Sequence, residues 1–142
     1  MKRVEARIDI DASAERVYAV LADLARYPEW NPVVTRIRGQ ARVGARVRFR
    51  IEIDGLPGLS LVARVCVADA AHGFGWRGGP PGIFTGEHVV RLEALGPDRT
   101  RVIHGEDFRG LIAMLMGRGT LARIERAYVR MNEALASRVL AG

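Results

Sequence analysis

Apolar and polar residues alternate strictly from residue 3 to residue 10. Val4, Ala6, Ile8 and Ile10 fall on one side, and Arg3, Glu5, Arg7 and Asp9 on the other. A period of two predicts a strand with one wet face. The period then changes. Val17, Val20, Leu21 and Leu24 recur at helical spacing, with Ser13 placed as N-cap and Glu15 in the first turn. Pro28 and Pro32 stop regular helix, which leaves Trp30 on a turn or a short second helical piece.

From about residue 33 to 109 the pattern is that of strands. The clearest runs over 45–54. There Val47, Phe49, Ile51 and Ile53 face one way, while Arg46, Arg48, Arg50, Glu52 and Asp54 face the other. Asp54-Gly55-Leu56-Pro57-Gly58 is a turn. Leu61, Ala63, Val65 and Val67 form the next inward row, with Arg64 and Cys66 opposite. A short strand at 72–78 surrounds Trp76, and Gly78-Gly79-Pro80-Pro81-Gly82 is a loop. Residues 83–95 and 99–109 are two longer strands joined at Gly96-Pro97-Asp98. The chain ends in one long amphipathic helix. Leu121, Ile124, Tyr128, Met131, Leu135 and Val139 repeat at spacings of three and four, which predicts a core face packed on a sheet. Gly117 and Gly119 interrupt the apolar run that precedes it.

Composition narrows the class. A chain of 142 residues, 49% hydrophobic, is the size of one domain and can bury a core without a staple. The single cysteine, Cys66, rules out an internal disulfide framework and fits a reducing compartment. No signal-peptide pattern follows Met1-Lys2-Arg3, and no apolar run approaches a membrane span. A cytoplasmic protein with no stable membrane insertion is expected. The net charge of +6 is almost all arginine, since Lys2 is the only lysine. Arginines at alternate strand positions read as wet faces. No nucleic-acid recognition motif or interleaved aromatics accompany them, so no nucleic-acid partner is expected.

Several pieces together resemble the SRPBCC superfamily, also called START-like or birch-pollen-allergen-like, and within it the polyketide cyclase/dehydrase group. They are Ser13-Ala14-Glu15-Arg16-Val17 after the opening strand, the Tyr27–Pro32 segment, Trp76, Gly86-Glu87-His88, Phe108-Arg109-Gly110, and the long helix with Met131-Asn132 and Leu135. The resemblance covers residues 1–142 as one domain. It implies an α+β helix-grip fold: a seven-stranded curved antiparallel sheet around the C-terminal helix, with a short helical insert after the first strand and an apolar pocket between. It also implies ligand binding and leaves the chemistry open, because function lives in the site and not in the fold.

One constellation could carry chemistry. If Pro97 centres the last hairpin, paired residue numbers sum to about 194. His88 then faces Glu106, and Val90 faces His104. Parity puts all three polar residues on the face marked inward by Val90, Leu92, Val102 and Phe108. A Glu–His pair away from water can hold a proton, and the carboxylate is expected to raise the His88 pKa. The alternative is a cross-strand contact without chemistry. Two histidines and a glutamate also make a donor set for zinc or iron, but their spacing matches no metal motif, so no metal is expected. Gly73-Phe74-Gly75-Trp76-Arg77-Gly78 matches a dinucleotide fingerprint only formally. Pro80 and Pro81 follow at once, no helix can start there, and no cofactor is expected. With Lys2 at the terminus, a buried Schiff-base lysine is excluded.

The reading that results is a monomer or homodimer that holds a hydrophobic or aromatic small molecule, lipid-like or polyketide-like, as carrier or sensor. Trp76, His88, His104, Glu106, Phe108 and Tyr128 are the expected ligand contacts. Asp54–Gly58 and Gly78–Gly82 are expected at the pocket mouth, with Gly110–Gly119 as a gate. The runner-up is a cyclase/dehydratase-type enzyme that uses His88, His104 and Glu106 as proton carriers. A third reading is an accessory scaffold with a filled cavity.

Overall fold

The computed structural model describes residues 1–142. Strand β1 (Lys2–Ile10) leads to helix α1 (Ala14–Ala22) and a 3-10 helix (Leu24–Glu29). Six strands follow: β2 (Val34–Arg38), β3 (Arg46–Ile51), β4 (Leu59–Asp69), β5 (Gly73–Gly78), β6 (Thr85–Gly96) and β7 (Arg99–Arg109). A short helix α2 (Leu111–Met114) and the long α3 (Arg118–Ala141) close the chain. The seven strands form one antiparallel sheet in the order β1-β7-β6-β5-β4-β3-β2. This is the helix-grip architecture expected from the sequence. β1 and β2 sit at opposite edges, so the helical insert between them has to span the sheet.

The insert is held by its own polar atoms. The Ser13 hydroxyl accepts from the Arg16 N–H at 3.2 Å and caps α1. Pro28 lies inside the 3-10 helix, which ends at Trp30. The buried Tyr27 hydroxyl donates to the Leu21 carbonyl at 2.6 Å. Asn31, also buried, accepts from the N–H groups of Val33 and Val34, both at 2.9 Å. That side chain launches β2 by satisfying two donors that no strand partner reaches.

The core lies between the concave face of the sheet and the helices. Ile124, Ala127, Tyr128, Met131, Asn132, Leu135 and Val139 are the buried positions of α3. Opposite them stand Val47, Val65, Phe74, Val90, Leu92 and Val102. No helix is long and apolar enough to cross a membrane.

Three sequence expectations change. β3 ends at Ile51 rather than 54, because the chain turns through Gly55, whose φ of +83° suits the glycine. β6 starts at Thr85 rather than 83, since a turn closes with Ile83 and Phe84 N–H groups on the Pro80 carbonyl. A register shift between Val65 and Val67 re-aims the end of β4. Ala68 then packs against the core, while Val67 joins Arg3, Glu87 and Ile103 on the outer face. The segment Gly73–Gly78, which mimics a dinucleotide fingerprint, is strand β5.

Candidate functional site

The β6–β7 hairpin has the register that its numbering implies. His88 pairs with Glu106 and Val90 with His104, and the sum of 194 holds from Thr85↔Arg109 up to Ala94↔Thr100. The side chains of His88, His104 and Glu106 all lie on the concave side, under α3. His88 is 3% exposed and His104 fully buried, while Glu106 is half-buried.

Their partners differ from the expectation. Although the two residues are opposed in the register, the His88 side chain makes no hydrogen bond to Glu106. Its Nε2 lies 2.6 Å from His104 Nε2, and His104 Nδ1 lies 3.1 Å from Asn132 Oδ1. With that Asn132 oxygen accepting, the proton of His104 sits on Nδ1. Its Nε2 is then an acceptor, and His88 Nε2–H donates to it. His88 Nδ1 is left buried without a partner. Glu106 instead accepts a hydrogen bond from the Tyr128 hydroxyl. Tyr128 and Asn132 are one helical turn apart, so α3 delivers both partners from one face.

Ring stacking locks the set. The Tyr128 ring stacks on His104 at 4.0 Å between centroids with planes 12° apart, and Trp76 stacks on His88 at 4.4 Å. His88 and His104 meet edge to face. Phe49 and Phe74 close around Trp76 at 4.9 and 5.8 Å.

Electrostatics follow from burial. Removal from water pushes both imidazoles toward the neutral form. His88 falls well below the ordinary histidine value, first through desolvation and then through His104. Desolvation takes His104 down to about 4, partly offset by Asn132. The expected rise of the His88 pKa is therefore reversed: burial dominates, and the neighbour that adds to it is a second imidazole and not a carboxylate. Desolvation pushes Glu106 up to about 7, against the lowering effect of the Tyr128 hydrogen bond. Its contact with the cavity moderates this rise without reversing it, since its strong partner is a neutral phenol and not a cation. Burial, then the Glu106 charge, holds the Tyr128 hydroxyl well above its usual range.

A cavity of about 80 Å³ opens beside these groups. Its polar end is Glu106, Tyr128 and His88; its apolar wall includes Trp76, Phe49, Ile51, Leu61 and Phe84. Of the six expected contacts, Trp76, His88, Glu106 and Tyr128 line it. His104 and Phe108 do not: His104 stands against His88, and Phe108 stacks on Phe84 at 5.8 Å. The Gly78–Gly82 loop reaches the rim through Gly78 and Gly79, whereas Asp54–Gly58 lies on another part of the surface. Gly110 turns the chain out of β7 at φ +102°, and α2 behind it exposes Leu111 and Met114, with Leu115 exposed just past its end. His88, His104 and Glu106 do not converge on one point, and no cluster of three or more His, Cys, Asp or Glu side chains does so elsewhere.

Two residues of the site escaped sequence reasoning. Asn132 is a polar residue on an otherwise apolar helical stripe, one turn from Tyr128, and that position was the available signal. Gly86 shares the inward parity of His88. A Cβ there would meet Glu106 Oε2 at 2.6 Å, so the missing side chain is what makes room for the carboxylate.

Residues 1–139 match the model of the family described as polyketide cyclase / dehydrase and lipid transport. The chain belongs to that family. Solved structures agree on the fold. A START superfamily protein from Mycobacterium smegmatis superposes with a TM-score of 0.79 at 22% identity, covering 98% of this chain and 97% of the other. The Zhui aromatase/cyclase from Streptomyces sp. R1128 gives 0.76 at 22%, covering 98% and 93%. Norcoclaurine synthase from Thalictrum flavum, solved with dopamine and hydroxybenzaldehyde, gives 0.64 at 14%, covering 99% and 87%. No curated protein sequence matches. This member of the polyketide cyclase/dehydrase family thus has a START-like fold whose cavity is small, aromatic on one side and protonatable at one end.

Proposed function

We propose that this chain, acting as one domain in the cytoplasm as a monomer or homodimer, holds a small hydrophobic or aromatic molecule as a carrier or sensor. The observation that carries this reading is the cavity itself: an aromatic and aliphatic wall with a single polar end at Glu106, Tyr128 and His88. Apolar pockets with a few convergent polar groups are the usual form of a small-ligand site. A volume of about 80 Å³ admits the edge of one ring, about half of what a buried benzene occupies. A longer lipid-like or polyketide-like ligand requires the wall near Leu61 and Phe84 to move. Glu106 orients the ligand: protonated it donates, ionised it accepts, and a ligand hydroxyl satisfies either state.

A second reading is favoured by one observation. A carboxyl group held at about 7 under a phenol is poised to take and return a proton near neutral pH. In a cyclase/dehydratase-type reaction Glu106 would act as the base, with Tyr128 hydrogen-bonding the substrate oxygen. The neutral His88–His104–Asn132 chain would stiffen the wall. This moves the proton carrier from the histidines to Glu106.

Equilibrium binding of an environment-sensitive apolar dye tests the first reading. Saturable binding near one per chain, displaced by single-ring phenols and weakened in Trp76→Ala, is expected. A folded protein that shows no saturable site would overturn it. Turnover of a phenolic polyketide-like substrate that disappears in Glu106→Gln, with binding retained, would replace the carrier with the enzyme.

A further inference from the structure

The outer face of the sheet carries a second feature, whose charged residues do not line the cavity. Arg36 and Arg38 on β2, Arg46, Arg48 and Arg50 on β3, and Arg64 on β4 are all exposed. The register sets them against one another: Arg36 pairs with Arg50, Arg38 with Arg48, and Arg46 with Arg64. Directly opposed residues in an antiparallel pair have Cβ atoms about 5 Å apart, and like charges there are destabilising. Compensation is almost absent. Arg50 meets Glu52 at 3.9 Å, a separation that contributes little on a wet surface. The remaining five arginines make no ion pair, although Arg64 donates to the Gly44 carbonyl at 3.1 Å.

The arginines elsewhere on this face behave differently. Arg3 binds Asp107 and Glu5, Arg101 binds Asp9, and Arg77 binds Glu87. Protection of an edge strand from pairing accounts for charges on β2, which is an edge. It does not account for four more arginines on the interior strands β3 and β4. A repulsive array that costs stability in the free protein points to an anionic counterpart.

Arg36, Arg38, Arg48 and Arg50 border an open groove of about 720 Å³, with Val62 at its floor opposite Arg48. We propose that this groove is the docking surface for an acidic protein partner, whose carboxylates lie between the arginine rows and whose aliphatic side chain covers Val62. The composition favours this occupant. Exposed Leu61 and Val62 inside the groove suit a mixed acidic and apolar segment better than a run of phosphates. The guanidinium groups spread over three strands instead of converging, and the one ring at the groove, Phe49, is 7% exposed and offers no open face to a base.

The test uses the full chain and the quadruple variant Arg36→Gln, Arg38→Gln, Arg48→Gln, Arg50→Gln, with Arg99→Gln/Arg101→Gln as control. At low salt the quadruple variant should melt above wild type, and the gain should shrink as salt is added; the control should melt at or below wild type. A quadruple variant that melts at or below wild type would show that no repulsion is stored and would overturn the proposal. The binding probe is a labelled short peptide alternating glutamate and valine. Its affinity should fall at least about tenfold in the quadruple variant and stay unchanged in the control. No binding, or equal binding to all three proteins, would overturn the proposal. So would tripolyphosphate, or vesicles containing phosphatidylglycerol, competing with the peptide at equal charge concentration. Phe49, Leu61 and Val62 border both the groove and the cavity, but the four substituted arginines line only the groove, so dye binding by the quadruple variant decides the ligand-binding reading separately.

Discussion

Glu106 and Asp107 are consecutive on β7 and face opposite sides of the sheet. Asp107 lies outside, where Arg3 binds it at 2.7 Å, and Glu5 on the next strand shares the same arginine. Glu5 is held below its ordinary value, first by the Arg3 hydrogen bond. Glu106 lies inside, has a phenol for a partner, and rises to about 7. Around β1 and β7 the outer face settles its charges by pairing; the inner face settles them by staying neutral. The two histidines obey the inner rule, since burial keeps both uncharged. A charge forced onto the inner face should therefore be far more damaging than one removed from the outer face.

The largest effect should come from Leu135→Asp. Leu135 is 1% exposed on the buried stripe of α3. The change removes core packing and places a carboxylate where no cation waits. A loss of more than about 4 kcal/mol is expected, enough to unfold a marginal domain. Chemical denaturation reads it directly. A variant within about 1 kcal/mol of wild type would break the contrast between the faces.

Next is the pH dependence of Glu106. Its folded value is about 7 against 4.5 for the free side chain, so the folded state holds the proton more tightly. Stability from this group is present below about pH 4.5 and is lost as pH rises toward 7. The histidines run the other way: their folded values are depressed, so stability falls as pH drops below 6.5, for His104 down to about 4. Glu106→Gln keeps the shape and removes the titration. The variant should gain on wild type by about 1–2 kcal/mol between pH 5 and pH 8, allowing for screening through the cavity. A constant difference across that range would mean that Glu106 titrates as it does in water.

How much of this contrast was legible beforehand depended on the distance over which each feature is decided. Alternation in β1, β3, β6 and β7 marked the two faces, because side chains of a strand alternate whatever the rest of the chain does. The hairpin register followed from the Gly96–Asp98 turn, and it correctly brought His88 opposite Glu106. The partners of those groups were not legible. Whether Glu106 turns to His88 or to Tyr128 is decided by how α3 crosses the sheet, which no local pattern encodes. The shift at Val65/Val67 was hidden for a similar reason: Val67, Ala68 and Cys66 can each be read inward until the neighbouring strand fixes the pairing. Asn132 was visible as an odd residue on an apolar stripe, but its role needed His104 in space.

Gly86→Ala probes how tightly the inner carboxylate is held. The new Cβ would stand 2.6 Å from Glu106 Oε2. The carboxylate ends a flexible side chain, so it can retreat, but only by loosening its bond to Tyr128. A cost of about 1 kcal/mol is expected, with a shifted Glu106 titration in carbon-detected NMR. An unchanged titration would show that the Tyr128 contact does not restrain the carboxyl group.

The smallest effect belongs to Asp107→Asn, one residue from Glu106. Asp107 and Arg3 are partly exposed at 22% and 39%, and Arg3 keeps Glu5 when Asp107 is neutralised. Exposed ion pairs contribute little because water already solvates both charges and salt screens what remains. A loss of about 0.5 kcal/mol or less is expected, fading as ionic strength rises. Neutralising Glu106 should do the opposite above neutral pH: stabilise, and without much dependence on salt, because a group under α3 feels few mobile ions. Two adjacent carboxylates of the same strand would then give opposite signs and opposite salt responses. If Asp107→Asn costs as much as Glu106→Gln gains and both vary alike with salt, the sheet does not divide the charges in the way described.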